Sequence, residues 1–358
     1  MANTFFKSFS EADRTTSRTL LHESIPITGT LVSGTYSNNN NIKSFSHGMF
    51  KSVYDYPYLS SSANHLFDVT WGYVSSSEMN TQLEGLNIVS AVTNQTSKKK
   101  NIYSQMAQVL VGYDTNGNIR PFDFDGNHSG GQKMGTAAFI NFSRLLVKDE
   151  IKKGSFSITL GTGSSFDAPF TGTFTLADHG AESTNGYLIN SPAGEYGLLY
   201  TASTGGNPRG LIFYQAGVAV IPASSAVLGG AEATTEWVTS SAKVHRDDVM
   251  KTGSMNQFVD GLVHRIQNIE FNNTTELNST IYFCRASHNE FNYSSNTTYL
   301  SGSKVQVKAN DLMMPPRSYI TTVGLYSADN ELLAVAKMSE PLRKDPSSEV
   351  TLRVRLDY

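Results

Sequence analysis

The end of the chain, Val350 to Tyr358, restricts the fold more than any other stretch. Val350, Leu352, Val354, Leu356 and Tyr358 fall on one side of an extended backbone, and Thr351, Arg353, Arg355 and Asp357 on the other. A strict period of two is the pattern of a strand with one covered and one wet face. The residues before it carry the same signature. Tyr319 to Tyr326 is β-branched and aromatic, Ser327-Ala328-Asp329-Asn330 supplies a turn, and Leu332 to Met338 reads as the return strand. Pro341 and Pro346 bracket an expected polar loop before the last strand. A module of this kind is expected to be pinned into a sheet to its final residue. Its polar face, Arg353, Arg355 and Asp357, with Tyr326 and Tyr358, is the candidate contact surface for a neighbouring subunit.

The remaining residues extend this reading. Leu66 to Val74, Ala137 to Phe142 and Phe156 to Leu160 are strand-like, and Arg144 to Lys153 is a charged connector able to form a short helix. Lys98 to Tyr113 predicts a helix, with Ile102, Met106, Val109, Leu110 and Tyr113 on one apolar stripe. Helical character returns over Thr235 to Asn268, broken at Gly253 and capped by Ser254, with Met255, Val259, Leu262, Val263 and Ile266 on one face. Between these, residues 161–231 are rich in Gly, Thr, Ser and Ala and nearly free of charge, with short apolar runs at close spacing. This composition predicts a small inserted β domain. The expected fold class is therefore α+β, mainly β, with sandwich-like subdomains and two or three helices. The expected divisions are an α+β region at 1–160, the insertion at 161–231, and a helical connector with its β module at 232–358.

Composition excludes several function classes. With 358 residues the chain can bury a sizeable core. The net charge of -3 and a charged fraction of 16% give no basic stripe of the kind that nucleic-acid binding requires. A single cysteine, Cys284, forbids an intrachain disulfide and a cysteine zinc cluster. No apolar run approaches the roughly 20 residues that span a bilayer, and the first residues lack the apolar core of a secretory signal. A soluble chain made and kept in a cytoplasm is expected, with Asn-X-Ser/Thr triplets such as Asn94, Asn141, Asn273 and Asn296 left unglycosylated.

No stretch assembles a recognisable catalytic set. Asp114-Thr115-Asn116-Gly117 and Asp123-Phe124-Asp125-Gly126 resemble calcium loops only superficially, because the glycine comes too early and no glutamate closes the loop. They read as turns. The eight histidines are scattered without ligand spacing. Cys284 lies in an apolar run, where it reads as a small buried hydrophobe. The glycine-rich runs lack the lysine of a phosphate loop, and no Gly-x-Ser-x-Gly elbow is present. Lys98, Lys99 and Lys100 read as a solvated entry segment before the first helix. No enzyme, cofactor or metal is expected. A carbohydrate-binding or glycan-cleaving role is the alternative from another class, resting on the sheet at 161–231 and on Tyr187, Tyr196 and Tyr200 as exposed rings.

Five segments carry a family resemblance: Phe67 to Tyr73, Lys99 to Leu110, Phe139 to Gly161, Tyr282 to Tyr299, and Tyr319 to Leu342. Together they resemble virion structural proteins of large contractile-tailed bacteriophages, including those infecting marine cyanobacteria. Thr322-Val323-Gly324-Leu325-Tyr326 followed by Glu331-Leu332-Leu333-Ala334-Val335-Ala336 is similar to an "IGLYD…G.LIAVA" pattern in some phage tail-fibre proteins. There it occurs near the start, in a region attaching fibre to baseplate; here it lies near the end. The resemblance implies a virion component assembled in the host cytoplasm, of the baseplate or its periphery, with a neck or collar part or a fibre adaptor as the alternative. It implies other virion proteins as partners and a repeated or homo-oligomeric subunit, without membrane or nucleic acid. The 17 tyrosines and 19 phenylalanines suit such a chain, since aromatics are enriched at interfaces.

Overall fold

The structure, a computed structural model, describes residues 6–25, 40–74, 95–128, 130, 133–180, 189–201, 208–223, 228, 235–238, 244–292, 300–301, 304–305 and 317–358. It is mostly antiparallel β-structure with a few helices, an α+β fold that is mainly β. In chain order the strands begin with β1 (Arg14–Ile25), β2 (Ile42–Ser44), β3 (Lys51–Tyr54) and β4 (His65–Tyr73). Helix α1 (Thr96–Leu110) precedes β5 (Thr136–Phe142), α2 (Arg144–Val147), β6 (Glu150–Ile151), β7 (Ser157–Gly161) and β8 (Thr173–Ala177). Next come β9 (Ile189–Ser191), β10 (Gly194–Leu199), β11 (Gly210–Phe213), β12 (Val218–Pro222), β13 (Glu236–Val238) and β14 (Val244–His245). Helices α3 (Arg246–Lys251) and α4 (Met255–Arg265) lead into the long β15 (Ile266–Ala286). Last are β16 (Leu300–Ser301), β17 (Lys304–Val305), β18 (Ser318–Tyr326), β19 (Leu332–Lys344) and β20 (Val350–Asp357).

The chain divides into two compact units, a large one of Leu21–Thr275 and a terminal one of Met1–Leu20 with Glu276–Tyr358. The large unit is built on an eight-stranded antiparallel sheet in the order β2-β3-β4-β5-β12-β11-β10-β9. Its centre is apolar on both faces: β12 is buried throughout, and β5 is buried at all but one position. That is why these strands read as continuous apolar runs rather than alternations. A second layer comes from β7, which pairs with β8 and with the first residues of β15. The two layers meet through aromatic rings, with Phe142 of β5 5.2 Å from Phe271 of β15 and 5.8 Å from Phe156. Sandwich-like packing follows from rings on two facing sheets sharing one core. Helices α1 and α4 pack on β4.

The strands of 189–222 overturn the inserted-domain boundary. β12 is hydrogen-bonded to β5 from Val218↔Asn141 to Pro222↔Ala137, so they extend the sheet that β2 to β5 begin. Low charge in this segment reflects burial inside the common core. Tyr196 and Tyr200, expected to be exposed, are buried; Tyr187 lies outside the described residues.

Helix α1 also differs from its predicted stripe. It starts at Thr96 and takes in the three lysines, and its buried positions are Lys99, Ile102, Tyr103, Ala107 and Leu110, while Val109 (65% exposed) and Tyr113 face outward. The reason is on β4. A side chain at Gly72 would collide with the Lys99 carbonyl and with Tyr103, so the helix closes on that glycine and turns its Lys99–Tyr103 face inward. α4 matches its expected stripe. Ser254 caps it, the Gln257 N–H donating to Ser254 Oγ (3.3 Å) and the Ser254 N–H to Gln257 Oε1 (2.8 Å). Upstream of α3, the expected helical character gives way to the β13–β14 pair. Among the described residues no helix is long and apolar enough to cross a membrane.

In the terminal unit β20 pairs with the second part of β15 from Ser279↔Asp357 to Ala286↔Val350. β18 and β19 form a separate two-stranded hairpin, closed by Ser327, whose hydroxyl accepts the N–H groups of Asp329 and Glu331. Pro341 lies inside β19 rather than at a loop edge, as an outer strand allows. The loop begins at Asp345, whose carboxyl is held down to about 2 by the Ser347 hydroxyl and the Arg343 guanidinium.

Candidate interaction surface

The alternation at the end of the chain is realised in β20. Thr351, Arg353, Arg355 and Asp357 are exposed, and the residues between them are half-buried. Arg355 donates to Asp357 (2.7 Å) and to Ser279 Oγ (3.0 Å), and the Ser279 hydroxyl in turn donates to Asp357. These contacts hold the Asp357 carboxyl below its ordinary value, Ser279 being the larger cause and Arg355 the second. On the opposite face of β20 Tyr358 Oη lies 3.0 Å from Thr280 Oγ1, although Tyr358 is 75% exposed. Arg353 lies opposite Phe283 in the register, on the same face as Arg355. Tyr326 stands apart on the hairpin, edge-on to Phe6 at 5.0 Å. Thus Arg355 and Asp357 are brought together on the face that Arg353 continues, Tyr358 lies on the opposite face of β20 beside Thr280, and Tyr326 belongs to another element.

Sequence reasoning missed the larger part of this surface. Leu332, Leu333 and Val335 on β19, with Tyr319 and Tyr326 on β18, are all exposed. Tyr326 was already a candidate contact residue, whereas in the sequence the other four looked like ordinary core residues of a strand pair. No third strand pairs with β18–β19 among the described residues, so both edges of the hairpin stay open.

The large unit holds buried polar groups that the sequence did not mark. Lys99 is fully buried, its Nζ donating to the carbonyls of Gly253 (2.8 Å) and Met250 (3.3 Å) and lying 5.1 Å from the Trp71 ring centre. Burial lowers its pKa to about 8. Arg265 stacks on Trp237 at 5.0 Å and donates to the carbonyls of Gly161, Gly163 and Glu236. Asp178 accepts from the N–H groups of Gly154 (2.8 Å) and Phe156 (2.9 Å) and from Tyr214 Oη (3.0 Å); burial raises its carboxyl. Each group is satisfied mainly by main-chain partners, which is how folds fix buried polar side chains. Such arrangements hold structure.

The calcium-like loops are Asx turns. Asp114 accepts the N–H groups of Asn116 and Asn118 (both 2.8 Å), and Asp125 that of Asn127 (3.2 Å). Among the described residues no three of His, Cys, Asp and Glu converge as a metal set. Cys284 is half-buried rather than buried, and its thiol is pushed up by burial and then by Asp13, the opposite of an activated nucleophile.

No family model, curated protein or solved structure matches the chain.

Proposed function

We propose that the chain is a structural component of a tailed bacteriophage virion, of the baseplate or its periphery, and that it works by protein–protein contact through its terminal unit. One observation carries the contact role: the two-stranded β18–β19 hairpin exposes Tyr319, Tyr326, Leu332, Leu333 and Val335. A two-stranded hairpin is marginal in water on its own, and the apolar side chains grouped at its turn end, Tyr326, Leu332, Leu333 and Val335, mark a partner's position. The half-buried apolar face of β20 and the charged face of Arg353, Arg355 and Asp357 extend the same unit. The virion context rests on the sequence resemblance, whose most specific segment forms this hairpin.

Two measurements test the reading. Mass spectrometry of purified particles should find the chain as a low-copy constituent; its absence would remove the virion assignment. Particles assembled with Leu333→Asp and Val335→Asp should lack the chain while the variant stays folded in solution. Normal incorporation would place the contact elsewhere.

A further inference from the structure

The terminal unit carries an open groove of about 490 Å³ lined by Glu11, Arg14, Thr16, Thr280, Tyr282 and Tyr358. Its size falls in the range of about 300–1,000 Å³ that small-molecule sites occupy. Several of its walls are fixed by their neighbours. Glu11 lies in a short helical turn closed by Asp13, which accepts from the Ser10 N–H (3.0 Å) and hydroxyl (2.6 Å) and pairs with Arg285 at 2.9 Å. Tyr282 is backed by the Phe9 ring at 5.3 Å. The buried Thr280 hydroxyl meets Tyr358 Oη at 3.0 Å.

The lining chemistry selects a ligand class. Neighbouring charges are engaged, Arg18 with Glu276, Arg285 with Asp13 and Lys7 with Glu290, whereas Glu11 and Arg14 have no ion-pair partner among the described residues. One carboxylate and one guanidinium leave the groove without net charge, so it favours neither a polyanion nor a polycation. It contains no aliphatic side chain that would receive a lipid. Two phenol rings, two threonine hydroxyls and a free donor–acceptor pair instead match a pyranose. Such a sugar offers a C–H face to an aromatic ring and adjacent hydroxyls to groups that accept or donate in pairs.

We propose that this groove binds a neutral oligosaccharide, with Tyr282 and Tyr358 against the sugar faces, Glu11 accepting from hydroxyls and Arg14 donating to them. None of its lining residues belongs to β18 or β19, and the site stands independently of the virion assignment. It also places sugar recognition in the terminal unit, not on the tyrosines of 161–231.

Saturation-transfer NMR on the full chain, with maltotriose, mannotriose and chitotriose as probes and trigalacturonate as an acidic comparison, tests it. Transfer from aromatic protons to at least one neutral trisaccharide is expected. Arg14→Ala and Glu11→Gln, both at exposed positions, should each weaken that binding by about tenfold without moving the melting temperature. Tyr282→Ala should abolish it. The proposal fails if no neutral probe receives saturation, if trigalacturonate alone binds, or if Arg14→Ala and Glu11→Gln both bind as the parent does.

Discussion

The Lys99 ammonium survives burial because the carbonyls of Met250 and Gly253, at the end of α3, and the face of Trp71 stand where water would. Helix ends leave carbonyls without partners, so the lysine also satisfies α3. The pH dependence follows from the pKa falling from 10.5 to about 8. Below about 8 the group is charged in both states and its burial cost is constant. Between about 8 and 10.5 only the unfolded chain binds the proton, so stability rises with pH, by at most about 3 kcal/mol. Urea unfolding across that range should show the rise, and Lys99→Met should remove it. A parent curve that falls over the same range would contradict the assignment. Asp178 behaves with the opposite sense of charge. Its carboxyl is raised by burial, so its contribution is fully present below the unfolded value of about 3.9 and is lost as pH rises through the folded one. Asp178→Asn can keep the oxygen that accepts from Gly154 and Tyr214, but its NH2 then faces the Phe156 N–H, so it should be less stable than the parent at neutral pH. Asp178→Ala strands three donors and should cost about 2–5 kcal/mol. Neither residue was legible in the sequence. Lys99 is one of three consecutive lysines, and only the absence of a side chain at Gly72 determines which of them turns inward.

Elements were legible where local chemistry decides them. Ser254 and Gln257 form a capping box visible in four residues of sequence, and the helical spacing of Met255, Val259, Leu262 and Val263 supplies the apolar stripe of α4. Ser254→Ala should cost about 1 kcal/mol, measured by chemical denaturation, and no loss would mean that packing alone sets the helix start. The alternation of β20 was legible for the same reason, since a period of two belongs to the strand itself. The stripe of α1 was not, because its orientation is imposed from outside by β4. Gly72→Ala tests that cause: its new methyl would meet the backbone of Lys99 and Tyr103, with no flexible side chain to yield. The expected cost is about 3 kcal/mol, at the upper end of overpacking effects. A neutral Gly72→Ala would show that α1 is free to shift on β4.

At the scale of the molecule, the sequence showed mainly β-structure but misplaced its boundaries, because composition reports burial and not connectivity. The stretch 161–231 is poor in charge and rich in small residues, as a separate small domain would be and as the middle of a large sheet also is. Pairing distinguishes the two. β12 lies along β5 over five residue pairs, β8 lies along β7, and Tyr214 reaches the Asp178 carboxylate. Removing 161–231 therefore takes away one of the two partners of β5 and uncovers Phe139 and Ile140, both fully buried in the intact chain. An open strand edge beside exposed aromatic side chains is a template for association between chains. The deletion should be insoluble or lack a cooperative melt. Residues 21–275 expressed alone should keep one, since they contain the whole eight-stranded sheet with its helices. A soluble, cooperatively melting deletion would instead mean that β2 to β5 form a sheet able to stand without the rest, and the domain boundary would return to residue 161.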